Sequence, residues 1–536
     1  MLQVKNLNLY HKKDLHPLVE ELSFVLNDGD KAAVIGEEGN GKSTLLKLLY
    51  DGSLVEDYAE YSGEILKGRA VCGYLAQELP PEDRKRTVCE YLSEEPAFWD
   101  TPYAELVTWA GQLGIPEDLL YGDTRMGLLS GGEKVKIQLI RILSKRPDVL
   151  LLDEPSNDID IATLEWLEKF IREYPFGVLY ISHDETLLEN TANMILHMEQ
   201  LRTKTRSRCT VARSGYRDYV DKRLEGMERQ ERLATEEQAA YTKQMERFRR
   251  IHDKVERDQN NISRQNPAGA RLLKKKMHAV KSMERRFEKQ AEDMTKMPES
   301  EEAIFFRFAP GEGIPAGKWV ADICLPGLYV KEEEGADRTA GESGSGADSG
   351  HTQGTRCLAE EIRLQVKGPE KICIIGKNGA GKTTLLRNLA EDLLKRKDLR
   401  TAYMPQNYEE LLPMDKNPVE FLLQYLKEEG TKEQTTRIRT YLGSMKYTAG
   451  EMDHAIRDLS GGQKAKLLLL GMSMDHRNVL VLDEPTRNFS PLSGPVIRRL
   501  LSDFPGAIIS VSHDRKYIRE VCDTVYELDV RGLHRR

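Results

Sequence analysis

No run of apolar residues in this chain of 536 approaches the roughly 18 needed to span a membrane; LLLLGMSM is eight residues long and fits a buried element better. The N-terminal stretch MLQVKNLNLYHKKDLH lacks the apolar core of a secretion signal. Cysteine is scarce: seven residues, odd in number, scattered and without a CxxC pair. That excludes a disulfide framework and a cysteine zinc site, and it predicts a reducing, cytoplasmic setting. Net positive charge is also missing, with 79 Lys+Arg against 87 Asp+Glu and a formal charge of −8. Yet residues 201–300 hold 26 basic and 16 acidic residues, a net of +10, which leaves −18 for the rest. A polyanionic partner is expected for that segment alone; the alternative is a solvated helical linker. A chain this long is expected to form two or three domains.

What is present is a repeat. GEEGNGKST at 36–44 returns as GKNGAGKTT at 376–384, LSGGEKVK at 129–136 as LSGGQKAK at 459–466, VLLLDEP at 149–155 as VLVLDEP at 479–485, and ISHD at 181–184 as VSHD at 511–514. From LSGG onward the offset is a constant 330 residues. KAAVIG and KICIIG read as buried strands, each leading into G-x-x-G-x-G-K-[ST] and then a helix, the context a phosphate-binding P-loop needs. The glycines let backbone N–H groups close around phosphates, and the helix N-terminus adds the positive end of its dipole. The candidate nucleotide-binding residues are therefore Gly36, Gly39, Asn40, Gly41, Lys42, Ser43 and Thr44, and again Gly376, Gly379, Ala380, Gly381, Lys382, Thr383 and Thr384. Lys42 and Lys382 are expected to reach the β- and γ-phosphates, and Ser43 and Thr383 to ligate Mg²⁺.

VLLLD and VLVLD are continuous apolar runs, as central parallel strands buried on both faces require. Each ends in an Asp at the carboxyl edge, where open α/β sheets bind ligands. Asp153 and Asp483 are expected to hold Mg²⁺, directly or through water, and Glu154 and Glu484 to polarise the attacking water as general bases.

This motif set resembles the ATP-binding cassette superfamily, whose signature is LSGG. The resemblance implies ATP hydrolysis and two P-loop α/β nucleotide-binding domains. It makes Gln77 and Gln406 Q-loop residues near the metal and His183 and His513 switch histidines near the γ-phosphate. It also implies head-to-tail pairing within a monomer. Site one would join the first P-loop to Ser460, Gly461 and Gly462; site two would join the second P-loop to Ser130, Gly131 and Gly132. Tyr10 is a candidate for stacking on adenine, with ordinary packing as the alternative.

Two fused cassettes without membrane spans resemble the ABC-F group, ATPases that act on ribosomes. The segment between the cassettes suits that group. Val220, Met227, Ala234, Tyr241, Phe248, Val255 and Ile262 lie seven apart, as do Leu273, Val280, Phe287 and Met294. This spacing predicts a long antiparallel helical hairpin packed along one apolar seam, with a break at NPAG, 266–269. The expected organisation is a first cassette over 1–200, a basic hairpin over 201–300 with its tip near 263–270, and a second cassette over 301–536. An acid-, Gly- and Ser-rich insert near 331–355 reads as a disordered loop. Arg264, Arg271, Lys274, Lys275, Lys276 and Lys281 fall within 263–283, a stretch with no acidic residue, and are the candidate RNA-phosphate contacts. In ABC-F proteins the linker enters the ribosomal E site and reaches toward P-site tRNA and the peptidyl-transferase centre, so the resemblance makes ribosomal RNA and tRNA the expected partners.

From Q-loop to signature the separation is 53 residues in the first cassette and 54 in the second, short for the extra arm some members carry. Ser490 stands where the family's second D-loop has Asp, the counterpart of Asp160, which predicts slower hydrolysis at site one. The long linker, the missing arm and this D-loop resemble the antibiotic-resistance members. The alternatives are a housekeeping translation factor of the same group, the ATP-binding subunit of a membrane transporter, and a DNA-repair cassette ATPase.

Overall fold

The computed structural model describes residues 1–13, 15–157, 159–201, 206–260, 267–297, 313–331, 355–426 and 431–536. The chain divides into two units. One comprises Met1–Tyr216 with Glu301–Arg536 and holds both cassettes; the other is Arg217–Ser300.

Each cassette is built on a six-stranded sheet. In the first the strand order is Cys72–Leu75, Val149–Asp153, Gly177–Ile181, Lys31–Ile35, Met194–Leu201 and Arg206–Ala212. The first five are parallel and the last antiparallel. The second repeats this with Thr401–Met404, Val479–Asp483, Ala507–Val511, Lys371–Ile375, Thr524–Asp529 and Gly532–Arg535. The central strands are buried at every position. Leu150, Leu151 and Leu152 have no exposed surface, and each contributes about 1.5–3 kcal/mol by leaving water. Because the strands that begin at Lys31, Val149 and Gly177 are sheet neighbours running in parallel, their carboxyl ends deliver the P-loop, Asp153 and His183 to one edge.

The strand Arg206–Ala212 corrects the expected domain boundary at 200. It pairs with Met194–Leu201, and Arg208 grips the fully buried Glu199 at 2.6 and 2.9 Å. Arg206, Arg208 and Arg213, counted with the linker, thus belong to the first cassette. The insert near 331–355 lies outside the described residues between 332 and 354, although Thr355–Ala359 pairs with Leu328–Lys331.

The cassettes meet through buried charge. Glu185 of the first accepts from Arg498 and Lys516 of the second, and Arg515 reaches Glu168 at 3.0 Å and Asp184 at 3.2 Å. The second unit is formed by two helices, Tyr216–Asn260, whose first residue still belongs to the cassette unit, and Pro267–Asp293, of 45 and 27 residues. They run antiparallel: Gln230 bonds Lys296, Glu237 bonds Thr295, and Phe248 meets Phe287 edge-on at 5.4 Å. Phe248, Val255 and Val280 are buried between them, as the seven-residue spacing predicts. The expected break differs in position. Pro267 already opens the second helix, as its fixed φ allows at a first turn. Of the expected tip, 263–266 lies outside the described residues, and so does Arg264.

Candidate functional site

Both P-loops have the same backbone. Gly36 and Gly376 sit at φ of 146° and 150°. A Cβ would lie 2.2 Å from the Met198 carbonyl oxygen in one and 2.4 Å from that of Leu528 in the other, so no side chain is tolerated. Lys42 donates to the Gly36 and Glu37 carbonyls at 2.9 and 2.8 Å; Lys382 repeats this on Gly376 and Lys377 at 2.7 and 2.9 Å. Each ammonium is thus curled over its own loop, where phosphate oxygens can replace carbonyls. Burial lowers the Lys382 pKa. The buried Asn40 ties the first loop to the Met198 carbonyl at 2.9 Å; Ala380, its counterpart, packs on the apolar cluster below. Thr44 and Thr384 lie in the first turns of the helices Lys42–Tyr50 and Lys382–Lys395.

The carboxylates diverge. Asp153 accepts from Ser43 at 2.9 Å and Tyr74 at 3.1 Å. Both carboxylate oxygens of Asp483 are buried and without a hydrogen-bond partner, with Thr383 and Lys382 as neighbours. Burial raises the pKa of both Asp153 and Asp483. An orphaned carboxylate beside a hydroxyl is a fit for Mg²⁺, a hard cation that takes oxygen ligands.

Glu154 and Glu484 share a strained left-handed backbone, at φ of 49° and 50°. Their surroundings differ. Glu154 is held by His183 Nε2 at 3.3 Å, Gln77 at 3.1 Å and Asn157. Burial pushes its pKa up, but the hydrogen bond and charge of His183, with Lys42 and Asn157, outweigh burial and bring it to about 2. Glu484 accepts from the His513 backbone at 3.3 Å, and its carboxylate is 3.7 Å from His513 Nε2. Burial and then Asp483 push its pKa up to about 8. His513, buried beside Lys382, is pushed down to about 4.

The structure brings each P-loop opposite the signature of the other cassette. At site two a cleft of about 960 Å³ is lined by Ser130 and Gly131 from one side and by Gly379, Gly381, Lys382, Thr383, Thr384, Gln406, Asp483, Glu484 and His513 from the other. Gly132, next in the signature, packs on Thr163. Ser130 caps its helix through a capping box with Glu133. At site one the loops touch directly. Glu38 accepts from the Gly462 N–H at 2.6 Å, and its carboxylate also lies beside Gly461. Glu37 accepts from Lys466 at 3.1 Å, Ser490 at 3.2 Å and Ser493 at 2.8 Å. Burial raises the Glu37 pKa, but Lys466, Ser493 and Lys42 outweigh it and the net shift is downward. Ser460 caps this signature helix through Gln463. His183 crosses the interface to the Phe489 carbonyl at 2.8 Å, whereas His513 Nδ1 is buried without a partner.

Several participants escaped the sequence reading. Glu37 and Glu38 fill the variable positions of the loop pattern, and their charge was the available signal. Val330 and Leu358, apolar liners of the second cleft, come from a strand pair that no motif marks. Tyr10 is half-buried opposite Pro17, and the next residue, Leu18, touches Gly41.

A family model described as ABC transporter matches residues 19–157 and 359–487. The chain belongs to this family. It is 27% identical to the probable ATP-binding protein YheS of Escherichia coli, over 97% of this chain and 77% of that protein. Identity is 26% to the putative ATP-binding protein YdiF of Bacillus subtilis, over 98% and 80%. With human ATP-binding cassette sub-family F member 3 it is 27%, over 95% and 68%. These relationships make the protein a tandem cassette ATPase homologous to ABC-F members. In fold it is similar to an archaeal ribosome recycling factor solved with a ribosomal stalk protein: TM-score 0.57, 16% identity, 99% of this chain and 89% of that one. The RNase-L Inhibitor superposes with a TM-score of 0.54 at 16% identity, over 98% and 89%. Among the described residues no helix is long and apolar enough to cross a membrane.

Proposed function

We propose that this ABC-F homologue acts on the ribosome, its helical hairpin working near the E site and the peptidyl-transferase centre, and that it protects ribosomes against an antibiotic. One observation carries the ribosome reading. In the second unit the apolar seam and the positive charge occupy different surfaces: Phe248, Val255 and Val280 are buried, while Arg271, Lys274, Lys275, Lys276 and Lys281 are exposed. Basic side chains that the hairpin does not need for its own packing are available to RNA phosphate. The drug-protection reading rests on the short separation between Q-loop and signature, the long linker and the Ser490 D-loop.

ATP would bind at both composite sites, with the P-loop of one cassette and the signature of the other. Mg²⁺ would be held by Asp483, Thr383 and Gln406 at site two and by Asp153, Ser43 and Gln77 at site one, where it offsets phosphate charge. Glu154 and Glu484 would orient the attacking water, with His183 and His513 beside them. ATP favours the closed sandwich, hydrolysis reopens it, and the hairpin carries that change to its target.

The test is sedimentation with ribosomes in the presence of ATP, for the wild type and for the triple variant K274Q/K275Q/K276Q. The wild type is expected to co-sediment. The variant is expected to bind more weakly and to lose roughly 0.7–0.9 from the slope of log affinity against log salt for each phosphate contact removed. ATPase turnover without ribosomes should hardly change. Unchanged affinity and slope in the variant would reduce the basic face to a solvated surface. A wild type that stays in the supernatant would end the ribosome reading. Drug protection is read separately, by in vitro translation at graded antibiotic concentrations with and without the protein.

A further inference from the structure

The first P-loop contributes two carboxylates of its own to the place where a nucleotide's terminal phosphate would meet the opposite signature. Glu38 accepts from the Gly462 N–H at 2.6 Å, at the N-terminus of the 14-residue helix Gly461–Met474. Helix N-termini bind anions through such unsatisfied N–H groups and the positive end of the dipole. Glu37, buried, is anchored by Lys466, Ser490 and Ser493, all from the second cassette. Four hydrogen bonds from two side chains thus join the P-loop of one cassette to the signature helix and D-loop of the other.

The opposite site is built differently. Lys377 and Asn378 occupy the positions of Glu37 and Glu38, and Asp160 that of Ser490. The exchange is reciprocal. Where the D-loop supplies a carboxylate, the P-loop has a cation; where the P-loop supplies the carboxylates, the D-loop has a hydroxyl that donates to one of them. An Asp at 490 would face Glu37 at hydrogen-bond distance, and two like charges there repel. Site two correspondingly holds a cleft of about 960 Å³ between its P-loop and signature.

We propose that Glu37 and Glu38 make the two composite sites unequal, closing site one with protein carboxylates so that Mg-ATP binds there more weakly than at site two. The inference rests on the reading of these sites as ATP sites. A nucleotide entering site one competes with Glu38 for the N-terminus of the signature helix and with Glu37 for the Lys466 ammonium and the Ser490 and Ser493 hydroxyls. Neutralising both weakens these competitors together.

The experiment is equilibrium titration of the full chain with Mg²⁺ and adenylyl imidodiphosphate. The wild type is expected to take up one nucleotide tightly and a second at least about tenfold more weakly. K382A should abolish the tight site and leave the weak one. In the K382A background, Glu37→Gln with Glu38→Asn should tighten the remaining site about tenfold or more. Two equal sites in the wild type overturn the proposal without a variant being made, as does a K382A/E37Q/E38N protein that binds no more tightly than K382A. The wild-type measurement guards against a variant that fails to fold. A wild type that binds no nucleotide would instead sink the ATP-site reading, a different result from two equal sites.

Discussion

The two composite sites are made from near-identical motifs and reach opposite electrostatic states. Glu154 and Glu484 follow the same apolar strand, share a φ near +50° and precede a histidine by 29 residues. One is brought to about pKa 2 and the other to about 8. The difference lies in what packs around them. Glu154 has an amide from Asn157, an amide from Gln77 and His183 within 3.3 Å. At the position of Asn157 the second cassette has Arg487, and Glu484 has one backbone N–H and a buried Asp483 beside it. A motif therefore specifies where a carboxylate goes, and its neighbours decide which protonation state is stable there.

Removing both carboxylates is expected to have the largest effect. E154Q/E484Q should bind ATP yet lose at least about a hundredfold in turnover, the scale of a lost general base; ATP-loaded protein should accumulate in the closed form and inhibit translation. Normal turnover in the double variant would refute the assignment of both residues. Next come the single variants. Site one carries the carboxylate plug and the Ser490 D-loop, so E154Q is expected to cost less than about twofold and E484Q several-fold more. Equal losses, or the reverse order, would erase the functional asymmetry.

A smaller effect tests the electrostatics directly, in the metal- and nucleotide-free protein. The folded pKa of Glu484 lies above its unfolded value, so the native state binds the extra proton and stability falls as pH rises from about 4.5 through 8. Glu154 is the reverse: its contribution is present above about pH 4.5 and is lost as pH falls toward 2. Calorimetry at pH 8 should therefore show E484Q melting higher than the wild type and E154Q lower, each by a few degrees. At pH 4.5 the gain from E484Q should nearly vanish. Shifts of one sign in both variants would contradict the opposed environments.

The smallest expected change comes from the D-loop. Ser490→Ala removes one of the four hydrogen bonds that hold Glu37 and Glu38 to the second cassette. It should cost about 1 kcal/mol of stability while leaving turnover at site two within about twofold. A collapse of turnover would mean that site one drives the cycle.

Much of this was legible in the chain alone. The P-loops, the strand-ending aspartates, the signature caps and the seam residues Phe248, Val255 and Val280 all follow from local rules: glycine where backbone crowding forbids a Cβ, continuous apolar runs where a strand is buried on both faces, a seven-residue period where one helix packs on another. Each leaves a short, regular pattern within one stretch of chain, so it is legible in the sequence even where, as at Gly36, the crowding atom is the distant Met198 carbonyl oxygen. The seizure of the Gly462 N–H by Glu38, the meeting of Glu37 with Ser490 and the opposite proton affinities of Glu154 and Glu484 were decided by tertiary structure. The first two join groups hundreds of residues apart in the chain, brought within about 3 Å, where removal from water makes a single carboxylate or amide decisive.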